Sequence, residues 1–98
     1  MTFKTIFSPT AVEHLDGLRQ RDRATILDQI EVQLTNEPNV RTRNRKPLRP
    51  NALAGWELRV GEFRVFYDVN SSDFQVEIIA VGIKRRDRVF IAGEEYSL

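Results

Sequence analysis

The chain of 98 residues is long enough for one domain, spanning residues 1–98, and too short for two. Its 41% hydrophobic content is ordinary for a globular protein. No apolar run approaches the roughly 20 residues of a membrane span, and the lack of cysteine excludes a disulfide framework. The net charge of +1 conceals an uneven layout: residues 1–40 are net −2, residues 41–64 net +5 and residues 84–88 net +3, so any preference for an anionic partner must be local.

Further exclusions follow from the same inventory. One histidine without cysteine makes a structural zinc site improbable, and no metal or cofactor is expected. The opening MTFKTIFSPT lacks the apolar core and cleavage site of a signal peptide. A cytoplasmic location without membrane attachment is the expectation for such a chain.

Thr2 to Phe7 reads as a short strand. Ser8-Pro9 then opens a helix, because serine is a good N-cap and proline is tolerated at the first helical position. Ala11, Val12, Leu15 and Leu18 follow at helical spacing. Gly17 and the charged run Arg19 to Arg23 mark a break, with Asp22 expected to cap a second helix whose apolar stripe is Ile26, Leu27, Ile30 and Leu34. His14 falls off the first stripe and is expected to be an ordinary helix-surface residue.

Residues 37–55 are the least regular stretch, punctuated by Pro38, Pro47, Pro50 and Gly55 and carrying Arg41, Arg43, Arg45, Lys46 and Arg49. Two readings stand open: a solvated linker, or a basic arm along a nucleic-acid backbone or partner.

Trp56 to Val69, WELRVGEFRVFYDV, alternates with a period of two on each side of Gly61-Glu62. A two-residue turn with glycine first requires Val60 opposite Phe63, Arg59 opposite Arg64, Leu58 opposite Val65 and Trp56 opposite Tyr67. Trp56 is expected in the core beside Tyr67, Leu27 and Ile30. Like charges directly opposite each other destabilise a strand pair. The two arginines therefore either turn to water and the neighbouring Glu57, Glu62 and Asp68, or face an anion.

FQVEIIAVG, residues 74–82, is a further strand, apolar on both faces at its end and so central; the basic run Lys84 to Arg88 follows. The order β-α-α-β-β-β implies an α+β domain: a mostly antiparallel sheet with a helical hairpin packed on one face. Arg59, Arg64 and the basic run would then share the opposite face.

LRPNALAGWELRVGEFRVFYDV (48–69) and IIAVGIKRRDRVFIAGEEY (78–96), in this order of elements, resemble the RelE/ParE superfamily of type II toxin–antitoxin toxins. The resemblance implies either a metal-independent, ribosome-dependent mRNA endoribonuclease or a poison of DNA gyrase; a decayed, antitoxin-binding member is the third reading. A cognate antitoxin is implied under all three, with ribosome and mRNA as partners of a nuclease. Carried over residue by residue, the nuclease cations fall on Arg59, Arg64 and Lys84 or Arg85. The terminal tyrosine of the pattern falls on Phe90, with Tyr96 as the nearby phenol. Glu57 stands where the pattern has a lysine. Arg59, Arg64, Lys84 and Arg85 are the expected catalytic cluster. Phe90 is expected to stack on a base, Arg45, Lys46 and Arg49 to hold phosphates, and Glu57 or Tyr96 to move protons.

Overall fold

The computed structural model describes residues 2–98. The chain runs β1 (Lys4–Phe7), α1 (Pro9–Asp16), α2 (Gln20–Leu34), β2 (Arg45–Pro47), β3 (Trp56–Val60), β4 (Phe63–Asn70), β5 (Gln75–Arg85), β6 (Arg88–Ile91) and β7 (Glu94–Tyr96). The strands form one sheet in the order β2-β3-β4-β5-β6-β7, and β1 pairs with β5 in parallel. All other pairings are antiparallel. The expected α+β order is present, with β2, β6 and β7 as short additions.

The helices cover one face. Ala11 and Leu15 of α1 and Ile26, Ile30 and Leu34 of α2 pack on Leu58, Val60, Val65, Tyr67, Val76, Ile78 and Val81. Val12 and Leu27, expected in these stripes, are 43% and 39% exposed. The buried stripe of each helix is narrower than the run of apolar residues in its sequence. Trp56 is half-buried and stacks on Tyr67, ring centres 6.1 Å apart. Leu27 therefore lies outside the core that was expected to hold it.

Ser8 caps α1, its hydroxyl oxygen accepting from the Ala11 amide at 3.0 Å. The second helix begins two residues before Asp22, at Gln20; Asp22 instead sits in the first turn, where its charge complements the helix dipole. At its other end, Arg45 Nη1 donates to the carbonyls of Gln33 (2.6 Å) and Asn36 (3.2 Å).

The hairpin adopts the expected register, Arg59 opposite Arg64, with Gly61 at φ +59. A register shift interrupts the β4–β5 pairing: Phe66 faces Ala80 while Tyr67 faces Ile78, leaving Ile79 as an inserted residue. This bulge reverses the alternation of β5. Val76 and Ile78 face the helices, and so does Val81 beyond the bulge. Ala80 is turned into a second core with Phe66, Ala54 and Ile91 on the far face.

Two side chains of α1 serve the edge of β5 between its β1 and β6 pairings. The Ser8 hydroxyl donates to the carbonyl of the bulged Ile79 at 2.8 Å. His14 Nδ1 accepts the Val81 amide at 3.1 Å. His14 is thus half-buried and fixed to the sheet rather than an ordinary surface residue. Its contact lies 67 residues away, beyond the reach of helical periodicity.

Candidate functional site

The far face of the sheet carries the cations. Glu57 and Arg59 leave β3 on either side of the core residue Leu58, and Arg64 leaves β4 beside the core residue Val65. Because of the bulge, Ala80, Gly82 and Lys84 are turned to this far face, and Gly82 is the partner of Arg64. A cleft of about 140 Å³ brings together Arg59, Arg64 and Lys84 with Lys46, Glu57 and residues 41–45. Among the described residues Glu57 is the one acid in this lining.

Backbone bonds explain the assembly. The Arg59 amide donates to Asn44 at 2.7 Å, drawing the 41–44 loop to the cleft, and Thr42 Oγ1 accepts from the Asn44 and Arg45 amides. Arg41 and Arg43, which sequence reasoning left among the undifferentiated loop charges, thereby reach the site. The threonine between them, able to bond its own backbone two residues on, was the available signal. On β5, the Lys84 amide donates to Glu62 at 2.8 Å and locks the hairpin tip against the strand.

Arg64 is buried, and its Nη1 donates to the carbonyls of Gly61 and Phe63 at 2.8 Å each, so it braces the turn while facing the cleft. Burial pushes its pKa below the usual guanidinium value; Glu57 opposes that shift and Arg59 adds to it. Glu57 Oε2 lies 3.5 Å from Lys46 Nζ and 4.0 Å from Arg64 Nε.

The remaining expected residues separate. Tyr96 reaches the same face: it pairs with Val89 and lines a hollow adjoining the cleft that shares Lys46, Glu57 and Lys84. Arg85 does not join the cluster, because it follows Lys84 on the strand and points to the helix side, where it lines a groove with Glu13 and His14. Phe90 pairs with Ile83 and lines that same groove, on the face away from Arg59 and Arg64. Arg45 borders the cleft, but it pairs with Leu58 and its guanidinium runs toward α2 and caps it. Arg49 stands in the 48–55 loop beside Asp68, apart from the cleft. The groove holding Arg85 and Phe90 is mainly apolar, about 550 Å³, with Leu18, Phe63 and Ile83 in its walls.

Residues 5–88 match the family model for the ParE toxin of the type II toxin–antitoxin system parDE. The chain belongs to that toxin family. Solved structures agree in fold. The toxin–antitoxin complex RelBE2 from Mycobacterium tuberculosis superposes with a TM-score of 0.74 at 26% identity, covering 86% of this chain and 100% of the matched one. The archaeal RelE–RelB complex from Pyrococcus horikoshii OT3 gives 0.70 at 23% identity over 88% and 99%. No curated protein matches the chain in sequence. The protein is a type II toxin of the RelE/ParE superfamily. Among the toxin's described residues no helix is long and apolar enough to cross a membrane.

Proposed function

We propose that the toxin is a metal-independent, ribosome-dependent mRNA endoribonuclease whose site of cleavage is the cation cleft. The observation that carries this reading is the meeting of Arg59, Arg64 and Lys84, from three neighbouring strands, in one concavity. The ribose 2′-oxygen would attack the adjacent phosphorus as its proton passes to Glu57. The bond to the 5′-oxygen then breaks, that oxygen receives a proton from Lys84 or Tyr96, and a 2′,3′-cyclic phosphate remains. Arg59 and Arg64 hold the non-bridging oxygens, where preorganised cations lower the barrier most because charge gathers there in the transition state. Arg41, Arg43 and Lys46 extend the positive surface along the flanking phosphates.

A cognate antitoxin is the second partner in this reading. Both solved relatives are toxin–antitoxin complexes, and the apolar groove beside α1 offers a helix a place to lay its apolar face. Gyrase inhibition is the competing activity. It is favoured by the ParE description of the matching family and by the commitment of Arg64 Nη1 to two turn carbonyls. Cell-free translation of a defined mRNA, run beside a gyrase supercoiling assay, separates the two. The expected result is mRNA cleavage that falls by about 10²–10³ in Arg59→Ala, Arg64→Ala and Lys84→Met. Intact mRNA with blocked supercoiling would instead establish the gyrase reading, and two negative assays would leave an antitoxin-binding protein without either activity.

A further inference from the structure

Strand β5 lacks a strand partner on one edge between its pairing with β1, which ends at Ile78, and its pairing with β6, which starts at Ile83. The bulge falls in this gap, and α1 fills it. The Ser8 amide donates to the Ile78 carbonyl at 2.9 Å and the Ser8 hydroxyl to the Ile79 carbonyl at 2.8 Å, while His14 Nδ1 accepts from the Val81 amide at 3.1 Å. A bulge needs such partners, because its extra residue is left out of the ladder and its backbone groups must be satisfied elsewhere. Packing chooses weakly between this register and the unbulged one. IIAVGI, residues 78–83, carries no polar side chain, so a slip by one residue would put apolar side chains in place of apolar side chains on both faces. The charged end of the strand is what such a slip would change. Pairing Arg64 with Val81 instead of Gly82 would send Lys84 to the helix side and Arg85 to the cleft.

We propose that Ser8 and His14 are positioning residues: from the helix side they hold the bulge at Ile79 and thereby keep Lys84 in the cleft on the far side. Neither side chain lines the cleft, so both act on it through β5. His14 Nδ1 does for the Val81 amide what the carbonyl of a neighbouring strand would do, and the Ser8 hydroxyl does the same for the Ile79 carbonyl in place of an amide. The inference rests on the nuclease reading only for what Lys84 does in the cleft; the register is a property of the fold under any activity.

The test joins NMR of the purified full-length toxin to single-turnover cleavage of mRNA on programmed ribosomes. His14→Leu removes the acceptor and keeps an apolar side chain in its place. His14→Asn restores an acceptor, since the amide oxygen stands the same number of bonds from Cβ as Nδ1. Ser8→Asp keeps the helix cap but has no hydroxyl to donate to Ile79. In the wild type the Ala80 methyl should show a nuclear Overhauser contact to the Phe66 ring, with which it shares the far-face core. That contact should weaken in His14→Leu and in Ser8→Asp. The Val81 amide should exchange at least about tenfold faster in His14→Leu, and His14→Asn should return contact and exchange to the wild-type values. The maximal rate of cleavage by His14→Leu should fall about ten- to a hundredfold with little change in half-saturation, because a displaced proton donor slows the chemical step. Added to Lys84→Met, the same substitution should cost nothing further, whereas a general loss of stability would lower cleavage alike in both backgrounds. A folded His14→Leu toxin with the wild-type Ala80–Phe66 contact and Val81 exchange overturns the proposal, and so does a full further loss on top of Lys84→Met. Should His14→Leu fail to fold, Ser8→Asp carries the same comparisons. A wild type that cleaves no mRNA, while the NMR contact responds as expected, counts against the nuclease reading alone.

Discussion

Arg45 and Lys46 are neighbours in the same basic run, yet one stabilises the fold and the other faces the cleft. Their strand places them opposite Leu58 and Glu57, a core residue and a cleft residue. The run of charges is legible in the sequence; this division is not, because it depends on a three-residue strand and on a helix end nine to twelve positions away. Arg45→Ala removes a buried charged donor from the Gln33 and Asn36 carbonyls and should cost about 2–3 kcal/mol, read as a shift of the denaturant midpoint. Tyr67 gives a second prediction. Its hydroxyl donates to Pro38 at 2.8 Å, and burial pushes its ionisation above the usual value, with Arg45 opposing. The phenol of the unfolded chain ionises near pH 10. Because the folded value is higher, this stabilising contribution is complete below about pH 10 and declines as pH rises above it. Tyr67→Phe should therefore flatten the alkaline limb of the stability curve while costing about 1 kcal/mol at neutral pH. An unchanged alkaline limb in a pH series of chemical melts would contradict this.

The decisive element is β5. Its identity as a central strand was legible from apolar residues on both faces, and β4 indeed occupies one edge while β1 and β6 share the other. The bulge at Ile79 was not legible, since no glycine or proline marks it and Ile79 is itself a good strand residue. That one inserted residue decides whether Lys84 or Arg85 joins the cleft. It also turns Ala80 to the far face, whereas unbroken alternation from Val76 and Ile78 would have kept it on the helix side. Gly82 then permits β6 to close over the far side: a Cβ there would lie 2.6 Å from the Phe90 carbonyl oxygen and 2.8 Å from Ile91 Cγ1. Neither neighbour is a flexible side-chain end, so Gly82→Ala should push β6 outward and cost about 1–3 kcal/mol. Faster hydrogen exchange in residues 88–91 than in 56–60 would locate the damage; equal exchange in both would show that the strain is absorbed elsewhere.

For the whole molecule, the order of helices and principal strands followed from periodicity and turn residues. The strands β2, β6 and β7 did not: β2 is three residues within a proline-punctuated basic stretch, and β6 and β7 are short segments in which charged residues and a glycine interrupt any alternation. Net charge was the least informative quantity: a chain of +1 gathers Arg41, Arg43, Lys46, Arg59, Arg64 and Lys84 in one cleft whose lining includes a single acid among the described residues. Glu57 therefore has two separable effects. It offsets cations that attract a phosphate chain, and in the proposed mechanism it accepts the 2′-hydroxyl proton. Glu57→Gln keeps the shape and removes the charge. Glu57 is buried, so at a separation of about 6 Å and an effective dielectric of about 20, losing one repelling charge favours a phosphate by up to about 3 kcal/mol, on the order of a hundredfold in affinity. Removing a general base lowers the chemical step by about 10²–10⁴. Single-turnover cleavage of mRNA on programmed ribosomes should accordingly show a lower half-saturation concentration together with a much lower maximal rate. Salt should erode the affinity gain only in part, since that gain is electrostatic but arises at a buried group, which is screened less than an exposed one. A maximal rate equal to wild type, with tighter binding, would mean that Glu57 only balances charge and that Lys84 or Tyr96 must be tested next as the proton acceptor.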